Sequence, residues 1–98
     1  MIYVVATLHI HGDKRAQFLA GARAAIAETV KEKGCVSYDL HQSISNADRY
    51  VFVERWETRE ALAAHFKTPH LQEWRKVGAD CVIDRAIEIA HADKIEKL

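Results

Sequence analysis

The spacing of apolar and polar positions changes period several times along the chain, and each change predicts an element. Ile2 to His11 alternates, with Ile2, Val4, Ala6, Leu8 and Ile10 on one side and Tyr3, Val5, Thr7, His9 and His11 on the other. Much of both sides is apolar, as in a central strand covered on both faces over its first half. Gly12 and Asp13 break the strand, Asp13 as a helix N-cap. From Lys14 to Lys33 the positions Phe18, Leu19, Ala22, Ala25, Ile26, Thr29 and Val30 form one stripe, which predicts an amphipathic helix lying on a sheet. Lys31 to Lys33 then reads as a solvated charge run. Gly34 supplies a left-handed stop.

Period two returns from Cys35 to Ser43 and from Arg49 to Trp56, around a polar loop of Ser45, Asn46, Ala47 and Asp48, and so predicts an antiparallel hairpin. Pairing Ser43 with Arg49 sets Tyr38 opposite Glu54, Leu40 opposite Phe52 and Val36 opposite Trp56 on one face. Asp39 and Val53, His41 and Val51 fall on the other face. At Thr58 the period becomes helical: Ala61, Leu62, His65 and Phe66 share a side, so His65 points inward. Thr68 and Pro69 restart a helix as N-cap and first residue, with Leu71, Trp74, Val77, Gly78 and Cys81 on its inner stripe, ending at Asp84 and Arg85. Trp74 on that stripe is expected to pack in the core. Arg85 to about Lys94 forms the last strand. The order β-α-β-β-α-β, with right-handed crossovers, predicts a ferredoxin-like α+β sandwich whose helices cover one face of a four-stranded antiparallel sheet. The opposite face retains some of Tyr3, Val4, Val5, Val51, Val53 and Ile89, and a homodimer packing sheet against sheet is the simplest cover.

Composition narrows the functional classes. The 98 residues make one domain, 1–98, and 14 basic residues against 14 acidic ones, with neither sign in a block, argue against a nucleic-acid partner. No apolar run approaches a membrane span and Met1 leads directly into a strand, so a cytoplasmic protein is expected. Cys35 and Cys81 are far apart and expected to be buried free thiols.

The chemical hint lies in Glu54 and His65, two ionisable groups aimed at one apolar core from a strand and the next helix. His9 and His11 share a strand face, but no acid or thiol is tied to them by spacing, and no metal site is expected. His65 and His70 are five apart with Pro69 between them, which disfavours a helix-based metal pair and leaves His70 at a pocket mouth or in solvent. Arg55, on the opposite side from Trp56, is expected to pair with Asp39 or with a carboxylate of a partner subunit.

The segments GCVSYDL, Gly34 to Leu40, and ERWETREALAAHFKTPHL, Glu54 to Leu71, resemble the antibiotic biosynthesis monooxygenase domain, in particular its quinol monooxygenase-like members. The resemblance implies a dimeric α+β barrel with one pocket per subunit. It also implies oxygenation of a quinol- or anthrone-like aromatic by dioxygen without flavin, haem or metal. His65 would then accept the substrate proton, with Glu54 orienting it or taking part. Tyr38 would hold the ring oxygen, and Phe52, Trp56, Phe66 and Asp39 would line the substrate. Haem-degrading relatives use an Asn, a Trp and a His where this chain has Thr7, His65 and Arg75, which excludes that chemistry. Isomerases of an autoinducer phosphosugar resemble the chain at Asp39 and His65 but would call for clustered cations. A non-catalytic ligand-binding stress protein of the same fold is the third alternative.

Overall fold

A computed structural model describes all residues 1–98. Four strands, β1 (Ile2–Ile10), β2 (Cys35–Gln42), β3 (Arg49–Trp56) and β4 (Val82–His91), form one antiparallel sheet in the order β2-β3-β1-β4. Three helices, α1 (Arg15–Thr29), α2 (Arg59–His65) and α3 (Pro69–Cys81), supply the other layer. The arrangement is the ferredoxin-like α+β sandwich. Its core lies where Ile2, Val4, Ala6, Leu8 and Ile10 of β1 meet Phe18 and Ala22 of α1 and Leu62 of α2.

The helix starts follow from side-chain chemistry. Thr58 Oγ1 accepts from the Ala61 amide at 3.1 Å and Thr68 Oγ1 from the Leu71 amide at 3.3 Å, while Pro69 opens α3. Asp13 caps nothing. Gly12–Lys14 is a short 3-10 turn, α1 begins only at Arg15, and no side chain caps either element. At its other end α1 stops at Thr29, and residues 30–34 form a tight turn in which the Glu32 amide donates to the Thr29 carbonyl at 3.0 Å. Glu32 therefore lies beyond the helix. Gly34 ends this turn at φ +86°, and a β-carbon there would stand 2.5 Å from Cβ of Ala61, so both backbone and space require glycine.

The hairpin register places Tyr38 opposite Glu54 and Leu40 opposite Phe52, and it shifts near Val36, so that Cys35 rather than Val36 pairs with Trp56. A bulge inserts one unpaired residue, which displaces every partner beyond it. Val36 is accordingly exposed. Arg55 Nε donates to Ser37 Oγ of the adjacent strand at 3.1 Å, in place of the expected Asp39, which pairs with Val53. At the far end α3 gives way to β4 at Val82, three residues earlier than expected, because Val82 pairs with Ile10 and the His11 amide captures the Cys81 carbonyl at 2.9 Å. β4 then ends at His91.

The sheet face away from the helices carries Val5 and Val53, 39% and 37% exposed, beside half-buried Tyr3 and Val51. Val4 and Ile89 do not belong to that face. Val4 is buried in the core, and Ile89, its partner on β4, packs against the same core. Both cysteines are free, Cys81 buried and Cys35 half-buried. No helix is long and apolar enough to cross a membrane.

Candidate active site

The short helix α2 buries Leu62 and His65, three residues apart on one side. His65, 2% exposed, is packed by Trp56 at 4.8 Å and Tyr38 at 5.4 Å between ring centroids. Its Nδ1 lies 2.6 Å from Oε2 of Glu32, and Nε2 of His70 lies 2.8 Å from that same oxygen. A carboxylate oxygen can only accept, so Nδ1 of His65 and Nε2 of His70 each carry a hydrogen. The Thr68 hydroxyl donates to the His65 carbonyl at 2.8 Å, which fixes the end of α2. The one nitrogen of His65 left without a protein partner is Nε2.

His65 lines a cavity of about 130 Å³ between the sheet and α2–α3. An apolar cavity of about 150 Å³ holds one benzene, so this space fits one aromatic ring. Tyr38, Glu54 and Phe52 line it from the sheet, and Phe66, Leu71 and Trp74 from the helices. Trp74 also packs against Phe18 and Phe52, at centroid distances of 5.4 and 5.7 Å, so it serves the core as expected while forming part of the wall.

Burial governs the electrostatics. It pushes the Glu54 carboxyl up to about 7, with nearby Glu32 adding to the shift and the hydrogen bond from Trp56 Nε1, at 3.0 Å to Oε1, opposing it. Burial likewise raises the Tyr38 phenol, helped by Glu54 and Glu32, so this hydroxyl stays protonated. His65 moves the other way: burial lowers its pKa against the raising effect of the Glu32 hydrogen bond, and the ring rests neutral. Cys35 is pushed up to about 11 by burial and the two glutamates, which makes it an inert thiol.

Of the residues singled out from sequence, His65, Glu54, Tyr38, Phe52 and Phe66 come together around the cavity. Trp56 does not line it. Fully buried, it backs the His65 ring and holds Glu54. Asp39 is exposed on the opposite face of the sheet, where strand alternation must put a neighbour of Tyr38. Glu54 does not orient His65. That task falls to Glu32, which the sequence pattern had assigned to a solvated charge run. His70, expected at a mouth or in solvent, is half-buried and braces Glu32. Arg75 and Arg85 also line the cavity, cations that spacing did not reveal.

Glu32, His65 and His70 present donor atoms within 4.8 Å of one another, the donor types that zinc uses. A metal there would displace both hydrogen bonds to Glu32, including the one that orients His65.

Comparison with known proteins agrees with this fold. The profile of the antibiotic biosynthesis monooxygenase family matches residues 1–77. An uncharacterized protein of Synechocystis is 30% identical over 79 residues, which make up 81% of this chain but 54% of that protein, so the chain spans about half its length. The protein of Escherichia coli K12 named "probable quinol monooxygenase YgiN" is 30% identical over 99 aligned positions, 91% of this chain and 95% of its own. The structure of Rv0793 from Mycobacterium tuberculosis superposes with a TM-score of 0.87 at 30% identity, covering 97% of this chain and 98% of that one. The chain belongs to the antibiotic biosynthesis monooxygenase family.

Proposed function

We propose that the protein is a cofactor-independent monooxygenase acting on a hydroxylated aromatic of the quinol or anthrone type. The observation that carries this reading is the His65 ring, held at Nδ1 by Glu32 and left open at Nε2 in an aromatic-walled cavity. Nε2 takes the substrate proton, and the imidazolium that forms is stabilised by the Glu32 carboxylate. The delocalised substrate anion reduces dioxygen and forms a carbon–oxygen bond. The resulting hydroperoxide loses water to leave a carbonyl, so one oxygen atom enters the product and the other leaves as water. Tyr38, protonated at all working pH values, donates to the ring oxygen, and Glu54 exchanges the second proton near pH 7. Phe52 and Phe66 hold the ring away from water. Two subunits packed across the face that bears Val5 and Val53 would complete a dimeric barrel, and a monomeric mass at micromolar concentration would remove that part of the proposal.

Arg75 and Arg85 favour a second reading, an isomerase acting on a phosphorylated sugar, because cations at a cavity rim suit a phosphate. The apolar walls and a volume fit for one ring favour the first. The non-catalytic stress protein of the same fold is favoured by a filled core, and the open cavity beside His65 supports an enzyme instead. Oxygen uptake with a reduced naphthoquinone or an anthrone tests the proposal. His65→Ala is expected to lose about 10²- to 10⁴-fold in kcat, and a variant retaining the full rate excludes His65 as the proton acceptor.

A further inference from the structure

The cavity is polarised end to end. Glu54 stands on β3 in the row that continues through Val4 of β1 to Ile89 of β4, and Arg85 lies four residues along β4, opposite Leu8 and on the same face. Standard sheet spacings place the Cα atoms of Glu54 and Arg85 on the order of 16 Å apart on a diagonal. The proton-handling groups, His65, Glu54 and Tyr38, thus lie toward one end and Arg85 toward the other, with Arg75 on α3 nearer to His65, whose ring feels its charge.

Arg85 is exposed, but its guanidinium folds back over α3. Its Nη2 lies 3.7 Å from where a β-carbon of buried Gly78 would stand, so the side chain lies against the bare backbone of α3 at the rim of the cavity. No acid of the chain takes its donors: every ion pair involves other cations, and Arg85 donates no side-chain hydrogen bond. Arg75 is steadied by Gln72 Oε1 at 3.2 Å and the Phe66 carbonyl at 3.4 Å, which leaves further donors unused. Two guanidinium groups, one of them unpaired, border a space that holds only one ring, and the remainder of a larger substrate must extend past them.

We propose that Arg85, assisted by Arg75, binds an anionic group at the far end of the substrate, so that the substrate class is an aromatic acid whose hydroxyl and carboxylate lie at opposite ends. The ring enters hydroxyl first toward His65, and the carboxylate remains at the rim, paired to the guanidinium of Arg85. The proposal rests on an aromatic ring occupying the cavity, yet it concerns binding alone. Absence of oxygen uptake would overturn the reaction while leaving this subsite intact.

Calorimetric titration of the full chain with 6-hydroxy-2-naphthoate, 3-hydroxy-2-naphthoate and 2-naphthol tests it without turnover. The 6-hydroxy acid is expected to bind about tenfold or more tightly than 2-naphthol, and more tightly than the 3-hydroxy isomer, whose two groups are adjacent. Added salt should narrow the preference. Arg85→Gln should reduce it to within about threefold while leaving 2-naphthol unchanged, Arg75→Gln should reduce it less, and Arg85→Lys should restore part of it. Equal affinity for all three ligands overturns the proposal, as does an Arg85→Gln protein that keeps the preference or weakens acid and naphthol alike. Binding of ribose 5-phosphate in the absence of any preference among the naphthalenes also overturns it, in favour of a phosphosugar.

Discussion

The two ends of the cavity are built on opposite principles. At the deep end the ionisable groups are tied to one another, His65 to Glu32, Glu32 to His70, and Glu54 to Trp56, inside a ring of aromatic contacts, and the Tyr38 hydroxyl and Nε2 of His65 are left for a ligand. At the rim Arg85 projects from an edge strand whose residues are mostly exposed, and no protein acid restrains it. The difference teaches where each task can be placed. Proton transfer needs atoms fixed to fractions of an ångström and sheltered from water, whereas recognition of a charged tail tolerates a side chain that adjusts to its ligand.

The sharpest way to break this comparison is at the deep end. If fixed geometry matters most there, His65→Ala should lower kcat by about 10²- to 10⁴-fold with little change in KM, whereas Arg85→Gln should raise KM for an acidic substrate and spare kcat. Parallel steady-state kinetics on the two variants check this, and matching effects on kcat would erase the distinction.

Glu54 gives the next largest effect, and it appears in stability as well as rate. Its folded pKa of about 7 stands above its ordinary 4.5, so the folded chain binds this proton more tightly than the unfolded one, and stability falls as pH rises from 4.5 to 7. Glu54→Gln removes that penalty. The variant should match the parent near pH 4.5 and exceed it by on the order of 3 kcal/mol above pH 7, as read from denaturant midpoints. It should also lose any inflection near pH 7 in the rate profile. A pH-independent stability difference would remove Glu54 from the list of buried titrating groups.

Glu32→Gln keeps the size of the side chain but weakens its hold on the imidazole. A drop of about tenfold in kcat is expected, with a rate profile displaced because the imidazolium is no longer stabilised; His70→Gln should do less. The smallest effect lies away from both ends. The hydroxyl of fully buried Thr29 has no hydrogen-bond partner, so Thr29→Val should stabilise the fold by about 1 kcal/mol and leave the kinetics unchanged.

Much of the deep end was legible because it obeys periodicity. Alternation along β2 and β3 set Tyr38 against Glu54, and the three- and four-residue spacing of Ala61, Leu62 and His65 turned the imidazole inward. The breaks at Gly34, Thr58 and Thr68-Pro69 marked the elements well, since each meets a local stereochemical demand. Glu32 was illegible for the complementary reason: it sits in a turn, where no repeat says which way a side chain points, and its partners lie more than thirty residues away. Arg85 was within reach. It shares strand parity with Ile87 and Ile89, but the sequence reading sets it at the junction of the last helix and the last strand, where neither period fixes its face, whereas the strand begins at Val82. At Val36 a single bulged residue defeated a register that was otherwise right, because no pattern of period two encodes an insertion.

The turn at residues 30–34 carries one further consequence. The acid that grips the imidazole belongs to neither the sheet nor a helix, and the turn is moored to the start of α2 through the Gly34 carbonyl, which accepts from the Glu57 amide at 2.8 Å. Such a segment can fray at a lower free energy than the strands beside it. On gentle warming, turnover should therefore fade while the far-ultraviolet signal of the sheet is still intact.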